Sequence, residues 1–96
     1  MITIIRKGLH YAISTFSGKD SHEIIFNHRD KEGRLVDGVT REDIYEMLID
    51  VITAANEKNP KHENKIQLRH IEAALESQRV TIRKKIRDEK SYKRQV

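Results

Sequence analysis

The only proline in the chain, Pro60, follows Asn59 and separates two stretches of helical apolar periodicity, which constrains the fold more than any other feature. The residue before a proline is biased out of the α region, and the proline ring removes a backbone donor, so a helix ends at this point. Upstream, Ile44, Met47, Leu48, Val51, Ile52 and Ala55 recur at the spacing of one helical face. Downstream, Leu68, Ile71, Leu75, Ile82 and Ile86 form a second stripe, with polar Asn64 and Gln78 on the same line. A connection of a few residues forces the two helices antiparallel, and the two stripes are expected to pair. Thr40 is placed as the N-cap of the first helix, with Asp43 three residues on as a capping-box acceptor and Glu42 at the positive end of the dipole.

The first third of the chain has a different character. The segments from Ile2 to Arg6, His10 to Phe16 and Glu23 to Asn27 are rich in Ile, Thr, Tyr and Phe. They are separated by Gly8 and by Ser17-Gly18-Lys19-Asp20, so they predict a small antiparallel meander. Asp30-Lys31-Glu32-Gly33 is a turn signal, and Arg34-Leu35-Val36 adds a fragment of strand. The expected fold is α+β: a single domain over 1–96, with a β-rich region at 1–39, an antiparallel two-helix hairpin at 40–88 and a basic tail at 89–96. Apolar periodicity is lost from Asp88 onward, so that tail is expected to be a fraying helix end or disordered. A chain of 96 residues buries only about 60–65% of its unfolded surface, and oligomerisation is the expected remedy for a marginal core.

Charge narrows the function. From Arg79 to Val96 the chain carries Arg79, Arg83, Lys84, Lys85, Arg87, Lys90, Lys93 and Arg94 against Asp88 and Glu89, whereas the part before Arg79 is slightly acidic. Such asymmetry points to an anionic partner: nucleic acid, a nucleotide or an acidic protein surface. Without cysteine there is no disulfide framework, thiolate zinc site or thiol nucleophile. His10, His22, His28, His62 and His70 have no metal-ligand spacing, so no metal and no cofactor are expected. Ser14, Ser17, Ser21, Ser77 and Ser91 lack a nucleophile-elbow setting, and the reading is of a protein that is not an enzyme. The N-terminus is too short and wrongly ordered for a signal peptide and no apolar run would span a membrane, which predicts a cytoplasmic protein.

The four glycines form no phosphate-binding loop, so phosphates would fall to side chains, and arginine forks pair bidentately with phosphate oxygens. Arg69, Arg79, Arg83 and Arg87 are the candidates, the last three sharing a face at intervals of four. A ridge facing water has the same spacing. Asn64 opens the second helix beside Glu63, where it either satisfies the turn or reads a base or ribose edge. Tyr11, Phe26 and Tyr45 are aromatics suited to stacking on a base or to packing in the core.

The run Ile25-Phe26 ahead of a glycine turn, then Asp37-Gly38-Val39-Thr40-x-Glu42-Asp43-Ile44, Leu48-Ile49, Glu63-Asn64 and Ile71-Glu72-Ala73-Ala74-Leu75 before a basic helix resembles the phage anti-defence helical-hairpin family, whose characterised members include anti-Thoeris and anti-CBASS sponges. The resemblance covers about residues 24–87. It implies a protein of the infected bacterial host's cytoplasm that binds a cyclic nucleotide immune signal without cleaving it, glyco-cyclic ADP-ribose or a cyclic oligonucleotide. The family's sites are built between subunits of homo-oligomers, up to hexamers. Asn64 and the arginines after Ala73-Ala74-Leu75 are the positions it carries over, while the family's glycine-containing extension is replaced here by Ile86-Arg87-Asp88-Glu89. Two other classes remain open on the residues alone: a small basic DNA- or RNA-binding phage protein using Arg79 to Arg94, and an inhibitor that docks on a host enzyme.

Overall fold

The computed structural model describes the backbone of residues 1–94 and the side chains of residues 1–87. It is an antiparallel β-meander followed by two helices, and it divides into two compact units, Met1–Arg41 and Glu42–Val96.

In the first unit, β1 (Ile2–Arg6), β2 (His10–Ser14) and β3 (Ser21–Ile25) form an antiparallel sheet in the order β1-β2-β3. The register sets Ile4 against Tyr11 and Tyr11 against Ile24, while Ile2 meets Ile13. With side chains alternating across a strand, Ile2, Ile4, Tyr11, Ile13 and Ile24 share one face. β2 ends two residues earlier than its apolar sequence suggests, because Thr15 and Phe16 enter the hairpin turn: the Thr15 N–H donates to the Asp20 carbonyl at 2.8 Å and the Gly18 N–H to the Thr15 carbonyl at 2.9 Å. β3 likewise begins at Ser21 rather than Glu23 and stops at Ile25.

Beyond β3 the chain makes a short ribbon of β4 (His28–Arg29) and β5 (Leu35–Val36). Asp30 holds its turn, Oδ1 accepting the N–H groups of Glu32 at 3.0 Å and Arg34 at 2.8 Å. Gly38 follows, and here only glycine fits. Val39 bridges to Phe26, its N–H donating to the Ile25 carbonyl at 2.8 Å and its carbonyl accepting from the Asn27 N–H at 3.0 Å. A Cβ on Gly38 would collide with the Ile25 carbonyl and lie 2.9 Å from the Asn27 nitrogen. The Gly-Val-Thr element therefore has a local structural cause: it returns the chain against the end of β3.

The second unit comprises α1 (Arg41–Lys58) and α2 (His62–Arg94). On α2 the helices meet along the expected stripe as far as Gln78, with Ile82 and Ile86 beyond it 36% and 48% exposed, whereas on α1 the half-buried face is rotated from the expected one. On α1 the half-buried positions include Glu42, Tyr45, Ile49, Ile52 and Asn56, alternating in steps of three and four; on α2 they include Asn64, Leu68, Ile71, Leu75 and Gln78. That alternation is the signature of a coiled-coil seam, and the contacts of Arg79 with Glu42 and Glu46 make it antiparallel. Met47 and Val51 of the expected stripe are 52% and 58% exposed, while Ile52 belongs to the seam. α1 is apolar over more than one face, and a stripe chosen by apolarity alone misses a seam completed by Tyr45 and two polar residues. Leu75, at 7% exposure, is the one buried hydrophobic residue among those described.

The connection is tight: the Asn59 N–H donates to the Ala55 carbonyl at 3.0 Å, and Asn56 Oδ1 accepts the Lys61 N–H at 2.9 Å. At the other end, α2 continues to Arg94, past the point at Asp88 where apolar periodicity is lost. The loss of apolar periodicity removes a packing face but not helical propensity, since no glycine or proline follows Pro60. Gln95 and Val96 of the expected tail lie outside the described residues.

Candidate anion-binding face of the helical hairpin

Arg79 lies on the rim of the seam, one residue past Gln78, and engages two carboxylates of α1. Its Nε donates to Glu42 Oε1 and its Nη2 to Glu46 Oε1, both at 2.9 Å. The four-residue spacing of the two glutamates lays them along one edge of α1, where one guanidinium fork reaches both. The hydrogen bond that Arg79 donates to Glu42 raises the Arg79 pKa above its ordinary value, with partial desolvation opposing and Glu46 adding to the rise. Arg79 is thus a clamp between the helices, permanently cationic and with its charge compensated inside the subunit.

One turn further, Arg83 faces a different arrangement. Its Nη2 donates to Glu76 Oε1 at 2.9 Å on its own helix, with side-chain exposures of 66% and 63%, and its Nε donates to the Arg79 carbonyl at 3.4 Å. A pair so exposed contributes about 0–1 kcal/mol, so an anionic ligand could displace the carboxylate at small cost. Arg83 also borders an open depression of about 520 Å³ shared with Glu76, Val80, Lys84 and Arg87. Three cations against one carboxylate make it net positive, with the Val80 side chain as an apolar floor. The neighbouring depression, about 490 Å³, is lined by Glu42, Glu76, Arg79, Ile82 and Arg83, and its two acids balance its two bases. The favourable place for an anion is therefore centred one turn beyond Arg79.

Of the remaining candidates, Arg69 is exposed on α2 and Asn64 is half-buried on the seam face, with no side-chain hydrogen bond among the described residues. Tyr11 and Phe26 belong to the first unit and stack edge to face, with ring centroids 6.1 Å apart at 87°. The Tyr11 hydroxyl accepts the Gly8 N–H at 3.0 Å, and the Phe26 carbonyl is held by His28 Nδ1 at 2.8 Å. Sequence reasoning did not assign Glu42, Glu46 and Glu76 as arginine partners, nor Lys84 to the depression. The spacing of four between Glu42 and Glu46 was available as a signal, but it points to Arg79 only once the helix register is known.

Among the described residues no group of three or more His, Cys, Asp or Glu is placed to hold a metal, and no helix is long and apolar enough to cross a membrane. No family model, curated protein or solved structure shows significant similarity to this chain.

Proposed function

We propose that this chain is a non-enzymatic sponge for a small anionic cyclic nucleotide, acting in the cytoplasm of a phage-infected bacterium as a homo-oligomer. The observation that carries the reading is the depression bordered by Arg83, Lys84 and Arg87 against the single carboxylate of Glu76. Its cations suit phosphate oxygens and its Val80 floor suits a sugar or base. The resemblance of the hairpin to phage anti-defence proteins supplies the ligand class, glyco-cyclic ADP-ribose or a cyclic oligonucleotide. A depression this open encloses little of a ligand, so tight capture requires a second copy to close over it. Sequestration needs no bond broken, only affinity and copy number, and rigid helices leave little ordering to be done on binding.

The alternative is a basic DNA- or RNA-binding protein, and the continuation of α2 to Arg94 favours it, because an unbroken cationic helix can track a phosphate backbone. The test is capture. Protein is incubated with a panel of cyclic nucleotides and cyclic ADP-ribose isomers, freed of excess ligand and heated. Release of one intact ligand supports the sponge; release of a cleaved product or of nothing, with binding to mixed-sequence nucleic acid that weakens steeply with salt, supports the alternative.

A further inference from the structure

The outer edge of β1 is built to accept a strand. The Ser14 N–H donates to the Met1 carbonyl at 3.0 Å, and in the β1–β2 register Thr3 faces Ala12 two residues further on. Hydrogen-bonded pairs alternate in an antiparallel ladder, so Met1 and Thr3 turn their backbone groups toward β2, while Ile2 and Ile4 turn theirs outward. No turn, loop or cap hydrogen bond reaches them. The opposite edge of the sheet is different: the Ile25 carbonyl and Asn27 N–H take Val39, and β3 carries His22 and Glu23. β1 lacks the usual protection of an edge, since Ile2-Thr3-Ile4 contains no charge and no proline. Ile2 and Ile4 are 62% and 63% exposed. A bulge between Ile4 and Arg6 limits the open edge to those three residues.

The occupant is constrained by the chain itself. A helix has no spare backbone groups to complete a ladder, and β4 and β5 pair with each other, so the strand must come from another chain. The segment is self-complementary. A two-fold axis at Thr3 sets Thr3 against the partner's Thr3 as a non-hydrogen-bonded pair and sets Ile2 against the partner's Ile4. Both outward-facing residues of each copy then exchange hydrogen bonds, four in all, and the apolar faces of the two sheets become continuous. No residue of Met1–Arg41 is buried, and a unit of about 40 residues ordinarily needs disulfides, metals or association to stay folded. Cysteine is absent, and no metal cluster occurs among the described residues. We propose that β1 pairs antiparallel with β1 of a second copy about Thr3, joining two three-stranded sheets into one of six strands. This contact rests on the sheet edge alone and is independent of the nucleotide reading.

The test uses ligand-free full-length protein, so its failure leaves the capture experiment standing. Cα atoms of a non-hydrogen-bonded pair lie about 4.5 Å apart, within the roughly 4.4–6.8 Å range of disulfides. In a chain without native cysteine, T3C therefore provides a single diagnostic thiol. T3C is expected to form a disulfide-linked dimer on mild oxidation at least about tenfold faster than S17C at the exposed hairpin tip. Because the contact is small, assembly is read at on the order of 100 µM. T3K and T3E should each sediment as smaller species than the wild type, since like charges face each other across the axis, and an equimolar mixture should restore the larger species. Crosslinking of T3C no faster than S17C, or T3K and T3E each assembling as the wild type does, would overturn the proposal.

Discussion

Truncating Leu75 to alanine tests the seam on which the helical unit depends. Leu75 is 7% exposed and sits in the middle of the α2 seam, between Ile71 and Gln78. Leucine-to-alanine changes in cores cost about 2–5 kcal/mol. Because the surrounding seam positions are only half-buried and can close partly over the gap, the lower part of that range, about 2–3 kcal/mol, is expected. For a domain of this size each kcal/mol moves Tm by about 4–8 °C, so L75A should lower it by about 10–20 °C, with the urea midpoint falling at unchanged slope. V51A is the internal control. Val51 belongs to the stripe that apolar periodicity favours, yet it is 58% exposed, so its truncation should stay within about 0.5 kcal/mol in dilute protein. Far-UV circular dichroism during thermal and urea unfolding reads both. Equal losses for the two variants, or a greater loss for V51A, would refute the placement of the seam.

The other substitutions probe single contacts. G38A places a Cβ against the Ile25 carbonyl and the Asn27 nitrogen and should destabilise the first unit by about 1–3 kcal/mol; an unchanged denaturation curve would show that the Val39 bridge is dispensable. Reversing two cations of the depression, K84E with R87E, should weaken nucleotide retention at least about a hundredfold, because charge-assisted hydrogen bonds to phosphate are among the stronger ones. Equilibrium dialysis against labelled ligand reads that effect, and thermal unfolding close to the wild-type curve would place it on binding.

Much of the architecture was legible in the sequence, and the failures have separate causes. Asn59-Pro60 fixed the hairpin turn and Gly8 and Gly18 the strand boundaries, because each is a local constraint that tertiary packing does not override. The seam on α1 escaped because Met47, Leu48 and Val51 are as apolar as the residues that pack, while true seam positions such as Glu42 and Asn56 are polar. Periodicity identifies an amphipathic helix but not which arc of a broadly apolar one is covered. The basic end of α2 runs as helix to Arg94 without an apolar stripe, because its composition sustains a helix without offering it a face. In the candidate site, four-residue spacing grouped Arg79, Arg83 and Arg87, but it could not reveal that Glu42 and Glu46 compensate the first. Their pairing with Arg79 joins residues 37 and 33 positions apart.

Native mass spectrometry of the protein, after incubation with the nucleotide panel and removal of free ligand, is the decisive measurement. The expected result is an oligomer carrying added mass equal to one intact cyclic nucleotide per site, with the same ligand recovered unchanged after the protein is heated. A monomer that retains no nucleotide, or a recovered ligand whose mass shows hydrolysis, would contradict it.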